Sequence, residues 1–66
     1  MRDPRVDPRR GDELRSANGC LYRVVQVALG SVRYRLIYPD GISWPGSVLL
    51  AGWRDFVDGL AVEKVA

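Results

Sequence analysis

Sixty-six residues, 47% of them hydrophobic, make one domain at most, and a chain of that size buries only about 60% of the surface its unfolded form exposes. With no histidine and a single cysteine, Cys20, the sequence lacks the commonest general base and any ordinary zinc-ligand set, and no intrachain disulfide can form. The net charge is +2, unevenly spread: five arginines alternate with four acids up to Arg15, residues 20–38 carry Arg23, Arg33 and Arg35 and no acid, and residues 39–66 set four acids against Arg54 and Lys64.

The opening stretch, residues 1–10, interleaves Pro4 and Pro8 with charges of both signs. Each Asp-Pro step disfavours helix at its aspartate, so a flexible, extended tail is expected ahead of a single domain over residues 11–66. Glu13 to Ser16 reads as a short first strand, and Ala17-Asn18-Gly19 supplies the positive-φ residues of a tight reversal. Cys20 to Leu29 is rich in β-branched and aromatic residues and reads as a long strand. Gly30-Ser31 serves as a two-residue loop, and Val32 to Tyr38 alternates apolar and charged residues as the next strand. That loop sets Leu29 opposite Val32, Val27 opposite Tyr34 and Val25 opposite Leu36 on a core face. Gln26, Arg33, Arg35 and, at the far end, Tyr22 then share the other face with Val24, and a β-bulge in the longer strand would shift part of this pattern. Pro39-Asp40-Gly41 ends the hairpin.

Further along, Pro45-Gly46 reads as a turn and Ser47 to Ala51 as a fourth strand. Trp53, Phe56 and Val57 stand at helical i, i+3, i+4 spacing in a segment long enough for one turn, and Leu60 to Val65 closes the chain as a last strand. The longest uncharged stretch, residues 41–53, is broken by Pro45, Gly46 and Gly52 and is too short to cross a membrane. The segment MRDPRVDPRRGDE has no apolar core of the secretory kind, and small secreted domains are usually rich in disulfides. A reducing, cytoplasmic location is the expectation.

Gly11-Asp12-Glu13-Leu14, the run Asn18-Gly19-Cys20-Leu21-Tyr22-Arg23-Val24, and Trp53-Arg54-Asp55-Phe56-Val57 together give a layout that resembles SH3-like small β-barrels. In size and order of elements the chain also resembles short proteins encoded by phages and prophages. The resemblance covers residues 11–66 and implies a mainly β fold, a barrel of about five strands with one short helical turn before the last strand. It lacks the acidic loop and aromatic groove of the proline-peptide-binding SH3 domains and the spaced glycines of the ribosomal KOW motif, so no binding site carries over with it.

No phosphate-binding glycine loop, nucleophile elbow or metal-ligand spacing is present, so neither an enzyme nor a cofactor is expected. Asp55 and Asp58 lack a second catalytic group and read as helix-end residues; Cys20 reads as a small buried side chain. The candidate binding residues are Tyr22, Arg23, Gln26, Arg33, Arg35 and Trp44. The arginines with Tyr22 and Gln26 form the basic and aromatic combination that nucleic-acid-binding sheets use, although a solvated outer face explains the same pattern. The tail arginines, Arg2, Arg5, Arg9 and Arg10, are offset by Asp3 and Asp7 and read as solubilising. Trp53 has helical-spacing partners and belongs in the core. Trp44, beside a proline in a loop, is the stronger surface anchor, and an exposed patch of Trp44, Val48 and Leu50 would fit that role. The expected function is a non-catalytic module of the phage or prophage type, an accessory or inhibitor that binds a host protein. A small nucleic-acid binder and a homo-oligomeric structural protein are the alternatives.

Overall fold

Alternation of apolar and polar residues with turn-forming pairs between the runs divides the chain into strands, and the computed structural model describes residues 2–66, leaving Met1 of the expected tail outside them. The elements in chain order are β1 (Glu13–Arg15), β2 (Leu21–Ala28), β3 (Ser31–Ile37), β4 (Ser43–Leu49), α1 (Leu50–Phe56) and β5 (Ala61–Lys64). All five strands belong to one antiparallel sheet in the order β4-β3-β2-β1-β5. The sheet is not closed, and β4 and β5 are its two edges. The helix packs over β3 and β4. No helix among the described residues is long and apolar enough to cross a membrane.

The central hairpin differs in register from the sequence reading. Its two turn residues are Leu29 and Gly30, with φ of 53° and 73°, the double positive φ of a type I′ turn. Ala28 therefore faces Ser31 and Val27 faces Val32, and one residue, Val25, is bulged out between Val24 and Gln26. Upstream of the bulge Val24 faces Tyr34, Arg23 faces Arg35, and Tyr22 faces Leu36. Burial explains the choice. This register turns Tyr22, Val24, Val27, Val32 and Tyr34 all toward the core, whereas the expected one would have turned Val24 outward. Its cost is a fully exposed Leu29 at the tip, held in the left-handed region that non-glycine residues avoid.

Two other elements shift. β4 begins at Ser43 rather than Ser47 and carries Trp44, Pro45 and Gly46 as strand residues. An edge strand tolerates the missing N–H of Pro45, and Gly46 is required because the Tyr34 ring lies over it. A Cβ there would sit 2.4 Å from Tyr34 Cζ. The expected single helical turn is a seven-residue α-helix. It has no side-chain cap, but the Gly30 carbonyl of the hairpin tip accepts from Leu50 N–H at 2.8 Å and so caps its first turn. Trp53 and Val57, one turn apart on the helical spacing, close over Leu14, Val24 and Val32 to complete the core. Cys20 is buried, as its sequence context implied.

Residues 2–12 do not trail away as an extended arm. The amides of Val6 and Asp7 both donate to the Asp3 carbonyl, making a tight turn. Pro4 is fully buried, and its carbonyl accepts the indole N–H of Trp53 at 2.8 Å. Asp12, with no accessible surface, anchors the segment. Its carboxylate takes both Nη atoms of Arg2, the Arg9 amide at 2.7 Å and the Ala66 amide at 2.8 Å. Arg2 is thus one half of a buried ion pair rather than a solubilising charge, because a carboxylate without solvent needs donors from the chain itself.

Burial alone would raise the Asp12 carboxyl, but the Arg2 guanidinium and the two amides outweigh it and hold the group below its ordinary value. The associated stability is therefore present above the unfolded-state value near 4 and lost as pH falls below it. Asp12→Asn is expected to destabilise the fold by about 1–3 kcal/mol at neutral pH, since Arg2 and the two amides lose a charged acceptor. Chemical denaturation of the variant should also show a flatter acid limb than the wild type. Leu29→Asn places at the hairpin tip a residue suited to positive φ, and a thermal melt should rise by roughly 4–8 °C for about 1 kcal/mol gained.

Candidate functional site

The six candidate residues divide between the two faces of the sheet. Arg23, Gln26, Arg33 and Arg35 stand together on the outer face. Register makes two rows there: Glu13, Arg23, Arg35 and Pro45 run across β1 to β4, and Gln26, Arg33 and Ser47 lie alongside. The Val25 bulge produces the second row. In a regular strand Val24 and Gln26 would point the same way; with one extra residue between them, Val24 enters the core while Gln26 emerges beside Arg33. No helix covers this face.

Its charges are not all neutralised. Arg23 Nε donates to Glu13 Oε2 at 2.8 Å, and Arg15 approaches Glu63 at 3.3 Å. Arg35 donates to Ser43 Oγ at 2.9 Å and has no carboxylate partner among the described residues, and Arg33 has none either. Arg23 and Arg35 are direct cross-strand neighbours, an arrangement that like charges disfavour.

Tyr22 is not part of that face. The register turns it inward, between Leu14 and Leu36. There its ring lies 5.7 Å from Tyr34 and 5.8 Å, edge-on, from Phe56, and burial, followed by the nearby Cys20, Tyr34 and Tyr38, pushes its phenol up. The expected pairing of arginine with a tyrosine ring on one surface is therefore absent. Tyr22, Tyr34, Trp53 and Phe56 instead form a continuous aromatic cluster with centroid spacings of 5.2–6.4 Å, within the range of favourable ring pairs.

Trp44 lies on the helix side of the sheet, opposite Leu36, but beyond the cover that the helix provides. It leaves 59% of its surface in solvent and takes no part in the aromatic cluster. Tyr38 and Ile42, joined by a Tyr38 N–H to Ile42 carbonyl bond at 2.8 Å, continue the exposed apolar surface at the β3–β4 turn. Leu50 is also exposed, while Val48 packs against the core. The free edge of β4, from Ser43 to Leu49, carries no charged residue. Its one protective feature is Pro45, which lacks an N–H, whereas the other edge, β5, is guarded by the charges of Glu63 and Lys64.

Among the described residues no three His, Cys, Asp or Glu side chains gather in a metal-binding arrangement. Asp55 and Asp58 are exposed at the end of α1. Sequence reasoning missed Arg2 and Pro4, whose roles depend on Asp12 and Trp53, partners 10 and 49 residues away. Comparison of the chain with protein families, with curated proteins and with solved structures gives no match.

The cross-strand arginine pair predicts a stability test. Arg35→Glu places a carboxylate opposite Arg23 and is expected to stabilise the domain by about 0.2–1 kcal/mol in urea unfolding. A gain would mean that the arginine sits there at a cost to the fold.

Proposed function

We propose that this chain is a non-catalytic binding module of the SH3-like small-barrel kind, which engages a protein partner through β4 and Trp44. The observation that supports it is a tryptophan more than half exposed on an uncharged strand whose outer edge has no partner in the sheet. On either side of Pro45, which has no N–H to give, such an edge accepts an added strand by main-chain hydrogen bonds, and the neighbouring tryptophan supplies the anchor for side-chain specificity. The order β4-β3-β2-β1-β5, with a short helix leading into the last strand, supports the SH3-like reading. The size and layout suit a phage- or prophage-type accessory or inhibitor directed at a host protein, and the free buried Cys20 suits a reducing cytoplasm.

A second reading, a nucleic-acid binder, is favoured by one specific observation. Arg23, Arg33 and Arg35 share an uncovered face, and two of the three have no carboxylate partner among the described residues. The absence of an aromatic ring there weakens it, since single-stranded ligands are held by stacking as well as by charge.

Trp44→Ala separates these readings. Because the ring is exposed, the variant should melt within a few degrees of the wild type. Capture of a specific partner, identified by mass spectrometry, should fall at least tenfold, as hot-spot truncations cost about 2 kcal/mol or more. Undiminished capture by the variant would overturn the β4 reading. A discrete dimer in sedimentation, dissociated by Trp44→Ala, would identify the partner as a second copy.

A further inference from the structure

The outer face holds a more defined feature than a basic patch. Arg33 lines a depression of about 360 Å³ with Gln26, Ala28, Leu29, Ser31 and Ser47. It also borders an adjoining one of about 300 Å³ with Pro45, Gly46 and Ser47. The cross-strand row Gln26–Arg33–Ser47 sets an amide, a guanidinium and a hydroxyl side by side, and Ser31 adds a second hydroxyl from the neighbouring row. No acidic residue lines either depression.

We propose that this depression is an oxyanion site that takes a phosphate group, with Arg33 as the charged donor and Gln26, Ser31 and Ser47 as neutral donors. A guanidinium presents paired N–H groups matched to two phosphate oxygens. Other basic side chains of this face are engaged, Arg23 with Glu13, Arg15 with Glu63 and Arg35 with Ser43, whereas Arg33 has neither an ion-pair nor a side-chain hydrogen-bond partner among the described residues. A volume near 360 Å³ exceeds a bare phosphate and reaches the lower range of small-ligand sites. Ala28 and Leu29 offer apolar contact to the organic part of a phosphate ester. The shared chemistry is a phosphate carried either by a small phosphomonoester or by a nucleic-acid strand. The proposal deepens the arginine-face reading, on whose surface it rests, and is independent of Trp44.

The test uses the full chain, ¹⁵N-labelled, titrated at constant ionic strength with inorganic pyrophosphate, adenosine monophosphate and an eight-residue oligothymidylate. Saturable shifts are expected for Arg33 Nε, the Gln26 side-chain amide and the Ser31 and Ser47 amides. Arg33→Gln should weaken binding at least tenfold, while Arg54→Gln, on the helix, changes it less than twofold. The folded spectra of both variants exclude misfolding as the cause. Tighter binding of the oligomer, with Arg23 and Arg35 drawn in, makes a strand the source of the phosphate. Binding of the small phosphates alone keeps the site and ends the nucleic-acid reading. Absence of saturable shifts with all three probes, or shifts that survive Arg33→Gln, overturns the proposal.

Discussion

Asp12 has no access to water, so every lone pair of its carboxylate must be met by the chain, and the chain meets them from three separate places: Arg2, the Arg9 amide and the Ala66 amide. Sheet, opening segment and closing segment are thereby fixed to one point at the start of β1. Arg2 completes the arrangement by donating to the Ala66 carbonyl at 2.9 Å. Such an ion pair is not evidence of large net stability, since a well-packed apolar replacement can do as well. What it does supply is position. With Asp12 held, Gly11 N–H reaches the Val24 carbonyl and Val24 N–H the Asp12 carbonyl, both at 2.8–2.9 Å, and the core strand β2 is registered against the opening segment.

A single extra residue then decides what each face of β2 presents. Without the Val25 bulge, either the core would lose one of Val24 and Val27 or the outer face would lose Gln26. With it, the inner face is apolar along its length and the outer face keeps a row of polar groups. The two candidate surfaces are separated for the same reason. Trp44 belongs to the helix side and the arginines to the opposite side, so one can be altered with little direct effect on the other.

Alternation and turn chemistry made much of this legible. The two central strands, the Asn18-Gly19 reversal, the core role of Trp53 and the shared face of Gln26, Arg33 and Arg35 follow from period and from residue type, whereas Arg23 joins that face only through the Val25 bulge. The choice between Leu29-Gly30 and Gly30-Ser31 for the turn, both adequate locally, changes only the cross-strand partners. Tyr22 was misplaced because the bulge at Val25 reverses the inward–outward alternation upstream of it, and the sequence allows a bulge without placing it. Burial of Val24 arbitrates, and burial is a property of the whole fold. The early start of β4 was hidden by Pro45-Gly46, a turn signal that an edge strand overrides. The docking of residues 2–12 had no local signal at all, because its determinants are a carboxylate and an indole far along the chain.

Segments at the two extremities of a small domain commonly fray, opening and closing without disturbing the rest. Residues 2 and 66 of this protein are coupled instead, since each donates to the same carboxylate. Lifting either one removes a donor from a carboxylate that has no solvent to replace it, so opening at one margin weakens the hold on the other. The consequence is that the two segments hold each other in place, each keeping in position an acceptor that the other uses.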